Sequence, residues 1–96
     1  MKICITSESN EAKRLKEIAG STEGIELCDV EKIYEADVVI YFSLNDMKKY
    51  FVHPDGRIIF FVYCESPIWY YTQVFKCVTI EDLENNFPKF IADCCA

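Results

Sequence analysis

Two stretches of the chain are apolar without alternation: Asp37–Ser43 (DVVIYFS) and Arg57–Tyr63 (RIIFFVY). A strand with one face in water alternates apolar and polar positions, whereas a strand covered on both faces does not. Both stretches therefore predict strands in the middle of a sheet. Lys2–Thr6 (KICIT) and Ile25–Cys28 (IELC) are shorter runs of the same kind, and Lys76–Thr79 is a fifth.

Between these runs the period changes to that of a helix. Ser9 is placed to cap a helix running to about Ala19, with Ala12, Leu15, Ile18 and Ala19 on one face and Gly20 as its stop. Asp29–Ala36 sets Val30, Ile33 and Tyr34 at i, i+3 and i+4, a short helix or helical turn. Ser43, with Asp46 three residues on, resembles a capping box, and Leu44, Met47 and Phe51 are the expected inner face of the helix that follows. Pro54-Asp55-Gly56 is a turn by its chemistry. The last segment keeps Ile80, Leu83, Phe87, Phe90, Ile91 and Cys94 in one helical phase, and Pro88 is expected to kink that helix or start a new one. Ser66–Phe75 (SPIWYYTQVF) stays open. Ser-Pro favours a helix start, and a short helix or loop is preferred, but the aromatic and β-branched residues also suit a strand forming a hairpin with its predecessor.

Strands separated by helices imply right-handed crossovers and a mostly parallel sheet. The expected architecture is a small flavodoxin-like three-layer sandwich of four or five strands, a single α/β domain over residues 1-96. A ferredoxin-like α+β arrangement is the alternative, because only about eight residues join the second and third strands.

Composition narrows the function classes. Half of the residues, 51%, are apolar, which excludes a disordered chain. The formal charge is −6, from 10 basic and 16 acidic side chains, and this acidic chain has no basic stripe. Nucleic-acid binders draw affinity from neutralising phosphates, so no nucleic-acid partner is expected. No apolar run approaches the roughly 18 residues a membrane helix needs, so no membrane partner is expected either. The N-terminal apolar run is too short for a signal peptide, and the expected location is cytoplasmic.

Six cysteines make the chain cysteine-rich. Cys4, Cys28, Cys64 and Cys77 lie in or beside apolar runs, where a free thiol acts as a small hydrophobe. The cysteines are separated by 24, 36, 13, 17 and 1 residues, with no CxxC pair and no histidine nearby, so no metal site is expected. Cys94 and Cys95 are adjacent, and one is expected to face the core.

In open α/β sheets ligands sit outside the carboxyl ends of the strands. That rule selects a rim of Thr6, Ser7, Glu8, Ser9 and Asn10 after the first strand, Ser43, Asn45 and Asp46 after the third, and Cys64, Glu65 and Ser66 after the fourth. Hydroxyls and helix N–H groups there resemble an anion cradle, although ordinary helix capping accounts for the same residues. GxGxxG and GxxxxGK[ST] are missing, so no cofactor is implied. Cys64 has acidic neighbours, which disfavour a thiolate, and His53 falls before the turn at the opposite end of the sheet. No catalytic residue is assigned. A receiver domain would carry paired acids where Ser7-Glu8 stand and an aspartate at Ser43. The run Asp29, Ile33, Ala36-Asp37-Val38-Val39-Ile40 resembles the "acid, short helix, ADVVV" stretch of nucleoside deoxyribosyltransferase-like domains over about a dozen residues. That resemblance implies a nucleotide-like or sugar-phosphate ligand. The glycine- and glutamate-bearing segment of those domains is not recognisable downstream, and no family is assigned.

Trp69, Tyr70, Tyr71 and Phe75 crowd one segment, and Phe87, Phe90, Cys94 and Cys95 crowd the last helix. So many large side chains exceed what a small core holds, and the remainder predicts an interaction patch. The expected function is a non-catalytic binding or assembly module forming a homodimer, with a foreign protein partner as the other use of the patch. The alternative is a small enzyme or ligand-binding domain using the rim.

Because the cysteines are expected reduced and metal-free, thiol titration of unfolded protein is expected to find all six. Two or more missing thiols, or stoichiometric zinc, would reject this.

Overall fold

The structure is a computed structural model that describes residues 1–53, 56–62, 75–78 and 80–95. Five strands form one sheet: β1 (Lys2–Ile5), β2 (Glu26–Leu27), β3 (Val38–Tyr41), β4 (Ile58–Val62) and β5 (Phe75–Val78). Their order is β2-β1-β3-β4-β5, and every adjacent pair is parallel. Among the described residues, three helices, α1 (Asn10–Gly20), α2 (Leu44–Lys49) and α3 (Ile80–Cys95), and a 3₁₀ helix (Val30–Glu35) accompany the sheet in this α/β fold. The antiparallel pairing that a ferredoxin-like sheet needs does not occur among the described strands. β4 and β5 pair in parallel, and residues 66–74, where a short helix or loop or else a hairpin strand was expected, lie outside the described residues.

The period-2 geometry of the strands divides the core in two. Ile3, Ile5, Val38, Ile40 and Phe60 point to one face and pack with Ala12, Leu15 and Ala19 of α1 and Leu83 and Phe87 of α3. Cys4, Val39, Tyr41 and Ile59 point to the other, where Ala36, Met47 and Val52 cover them. All four residues of β3 are fully buried. That is why Val38–Tyr41 carries no polar position.

Hydroxyl groups set the ends of α1. Ser9 is the N-cap, its Oγ accepting from the Ala12 amide at 3.2 Å. At the other end Ser21 Oγ donates to the Glu17 carbonyl and Thr22 Oγ1 to the Ile18 carbonyl, at 3.0 and 2.8 Å. Gly20 is the last helical residue, and the left-handed turn falls later, at Gly24 with φ +84°. Gly56 (φ +72°) has the positive φ expected of its turn; Pro54 and Asp55 lie outside the described residues.

Two aromatic side chains differ from the sequence expectation. Tyr34 is 64% exposed, because Val30–Glu35 is a 3₁₀ helix. With three residues per turn, i and i+3 eclipse, so Val30 and Ile33 share the packed face and Tyr34 rotates off it. Phe51 is 55% exposed, because α2 ends at Lys49 and the chain leaves helical phase at Tyr50. Val52 is buried in its place. In α3 the helical path breaks at Asn86 (φ −128°), two residues before Pro88, so the expected kink is present while Leu83 and Phe87 stay buried on either side of it.

The amino ends of the strands are tied together by one aspartate and one arginine. Asp37 accepts the Lys2 amide on Oδ2 at 2.9 Å, donates its own amide to the Lys2 carbonyl, and accepts the Ile58 amide on its carbonyl. Arg57 donates to the carbonyls of His53 (2.8 Å) and Tyr34, linking the start of β4 to the 3₁₀ helix. His53 is exposed, as a loop histidine at this end of the sheet is expected to be.

Val39 pairs with Cys4 and Ile59 and is fully buried. Val39→Asp would bury an unpartnered carboxylate, and the expected cost is several kcal/mol against a total stability of roughly 5–15 kcal/mol. An unchanged melting temperature in this variant would overturn the sheet assignment.

Candidate functional site

The carboxyl ends of β1 and β3 lie side by side, joined by Thr6. Its amide and its Oγ1 both donate to the Ile40 carbonyl at 3.2 Å, and the side chain is buried. This double bond extends the β1–β3 pairing by one residue, so the Thr6 hydroxyl faces the protein. Ser7 Oγ accepts from the Ser9 amide at 3.1 Å, and Ser9 caps α1. Ser43 repeats the arrangement on the neighbouring strand, its Oγ accepting from the Asp46 amide at 3.1 Å. Of the hydroxyls that suggested an anion cradle, those of Ser7, Ser9 and Ser43 thus satisfy helix and turn amides, and that of Thr6 bonds a strand carbonyl.

The remaining members of the rim stand further out. Glu8 is exposed and reaches Lys16 Nζ at 3.5 Å. Asn10 and Asn45 are exposed, and Asp46 is half-buried in the first turn of α2. Two of the three clusters selected from the sequence follow the adjacent strands β1 and β3, while Cys64, Glu65 and Ser66 lie outside the described residues. So do Trp69, Tyr70 and Tyr71; Phe75 opens β5, and its side chain is likewise outside them.

Beside this rim is a cleft of about 140 Å³, lined by Ile5, Glu8, Lys16, Leu27, Cys28, Asp29 and Val30. It lies past the carboxyl ends of β1 and β2, between α1 and the start of the 3₁₀ helix. That is one strand away from the β1–β3 boundary where the strand order reverses, the usual ligand position in such sheets. Only Glu8 among its lining residues was selected from the sequence. The others depend on which strand lies beside β1, and the hydrophobic pattern alone does not carry that.

Two thiols meet next to the cleft. β1 and β2 pair Lys2 with Glu26 and Ile3 with Leu27, so the next residues, Cys4 and Cys28, stand side by side. Cys28 donates its amide to the Ile3 carbonyl at 3.0 Å, and its side chain packs against the buried cluster that contains Cys4. Burial, followed by the neighbouring Cys28, pushes the Cys4 thiol up to about 12. Burial also raises the Cys28 thiol, and the neighbouring Cys4 opposes that rise. Tyr41 is raised to about 12, again by burial, with its hydroxyl donating to the Tyr50 carbonyl at 2.9 Å.

No group of three or more His, Cys, Asp or Glu side chains able to hold a metal occurs among the described residues. No described helix is long and apolar enough to cross a membrane. Comparison with family models, curated proteins and solved structures finds no match for this chain.

The buried thiol and phenol make stability depend on alkaline pH. Unfolded, Cys4 releases its proton near pH 9.0 and Tyr41 near pH 10.0; folded, both hold it to about 12. The unfolded chain therefore binds fewer protons in that window, and stability falls as pH rises. Their contribution is expected to be complete below pH 9.0 and to decline through pH 12 in urea melts. In Cys4→Ala the decline is expected to be shallower, with Cys28 and Tyr41 still contributing to it. A slope identical to that of the wild type would refute the assignment.

Proposed function

We propose that this domain is a non-catalytic assembly module that pairs with a second copy of itself through an aromatic surface. The observation that carries this reading is the position of Phe51 and Tyr34, both more than half exposed. Each lies near the amino end of the sheet, Tyr34 before β3 and Phe51 before β4, next to elements that cover the same face. Large rings left in water in a small domain favour an interaction patch over a completed core. Trp69, Tyr70 and Tyr71, which precede the outermost strand β5 in sequence, add the residue types most enriched at interface centres. Two copies present identical patches, so a two-fold pair is the simplest arrangement. Each copy carries a formal charge of −6, so the attraction has to be apolar, and salt should strengthen it by screening the repulsion.

The second reading is a small enzyme or ligand-binding domain for a nucleotide-like or sugar-phosphate ligand, and the cleft at the strand ends favours it. At about 140 Å³ the cleft is smaller than the roughly 300–1,000 Å³ of typical small-molecule sites. Glu8 and Asp29 line it, and both oppose a phosphate. The assembly reading is preferred for these reasons. It places the protein in the cytoplasm, with a foreign protein as the other possible occupant of the patch.

Sedimentation equilibrium tests the proposal. The wild type is expected to dimerise at or below about 100 μM, a modest affinity. Phe51→Ala and Trp69→Ala are each expected to shift it toward monomer, and added salt to shift it back. A wild-type monomer at that concentration rejects self-association.

A further inference from the structure

We propose that Cys4 and Cys28 form a reversible redox pair, in which Cys28 at the cleft wall reacts with a peroxide and Cys4 behind it closes a disulfide. The inference does not depend on the assembly reading. It rests on three features that arise independently.

The first is register. Paired strands lie about 4.8 Å apart. Neighbouring residues of β1 and β2 therefore fall within the roughly 4.4–6.8 Å between α-carbons that a disulfide requires. Cys4 and Cys28 follow the Ile3–Leu27 pair on both strands, so their side chains leave the sheet on the same side. The second is contact, since the Cys28 amide donates to the Ile3 carbonyl at 3.0 Å and its side chain packs on the buried cluster that contains Cys4. The third is access. Cys4 is fully buried, whereas Cys28 is half-buried and lines the cleft, whose volume admits a peroxide together with water. One thiol meets the reagent and the other is held against it.

The chemistry follows from this asymmetry. The Cys28 thiolate attacks one peroxide oxygen and expels hydroxide, giving a sulfenic acid. The Cys4 sulfur then attacks the Cys28 sulfur, and the hydroxyl leaves as water. Two thiols lose two protons and two electrons, and hydrogen peroxide becomes two waters. The asymmetry of access favours this sequence, and the neighbouring Cys4 thiol works with it by opposing the rise that burial causes at Cys28. Asp29 disfavours both thiolates and Glu35 disfavours that of Cys28, while Lys2 favours Cys28 and Lys16 favours Cys4. Burial keeps both thiols protonated near neutral pH, so the reaction is slow and stoichiometric and quickens as pH rises.

The experiment exposes the folded full chain to hydrogen peroxide, blocks the remaining thiols by alkylation, digests without reduction and identifies linked peptides by mass. The peptides containing Cys4 and Cys28 are expected to appear joined, two hydrogens lighter than the pair, and to separate with dithiothreitol. In urea the same treatment is expected to lose this preference among the six cysteines. Cys28→Ser is expected to leave Cys4 as a thiol after peroxide, and circular dichroism checks that the variant folds. Wild-type rates give a second measurement that needs no variant: Cys28 sulfenic acid, trapped with dimedone, is expected to precede the linkage. Three results would overturn the proposal: Cys28 joined mainly to another cysteine, Cys28 carried to sulfinic acid with Cys4 still a thiol, or both thiols intact when exposed ones are oxidised.

Discussion

Strand β3 leaves no side of itself to water, and most of the remaining structure answers that constraint. Its four residues alternate between two apolar clusters, Val38 and Ile40 against α1 and α3, Val39 and Tyr41 against the elements from Ala36 to Val52. A strand of this kind has to have a strand on each side and a layer on each face, or its backbone and side chains meet solvent unpaired. β1 and β4 supply the edges, both parallel to it. Parallel pairing in turn demands a crossover for every strand, so the helices are a consequence of the sheet's direction. Even the polar groups nearby serve β3. Asp37 precedes it and holds β1 and β4 at their starts, and Thr6 bonds the carbonyl of Ile40 near its end.

The sequence made the middle of this arrangement legible and its margins less so. Val38–Tyr41 and Ile58–Val62 were readable because double-sided burial removes the polar positions that would obscure a strand. Ser9 and Ser43 were readable because the side-chain oxygen of a cap acts on amides two or three residues away. Tyr34 and Phe51 were misplaced by the same local logic. Each was assigned by an α-helical period, and each lies where the chain has abandoned that period, in one case for a tighter helix and in the other for an extended run. Helix type and helix length are decided by what packs on them, and the periodic signal does not record that.

The candidate site divides along the same line. The strand-end rule picked out the loops after β1 and β3, and those loops are neighbours. It did not reveal what their hydroxyls do, because a capping serine and a phosphate-binding serine are the same residue in the same place. Nor did it reveal the meeting of Cys4 with Cys28, which lie 24 residues apart in the chain. Their proximity follows from one fact of register, that Ile3 stands opposite Leu27.

The uniform direction of the strands also sets the order in which the chain can take shape as it is made. The two partners of β1 are β2 and β3, so nothing in the first strand can pair until those later segments have been synthesised. Its longest tie, from the Lys2 amide to Asp37, spans 35 residues. Among the described strands none has its mate within a hairpin's reach; the nearest partners in sequence are Ile59 and Phe75. At about 5–20 residues per second, the apolar KICI segment waits seconds for its partners, longer than a loop of that size needs to close. Through that interval Ile3, Cys4 and Ile5 are available to any other apolar surface, and α1, formed from contiguous residues with its own serine cap, is the one element able to shelter them early.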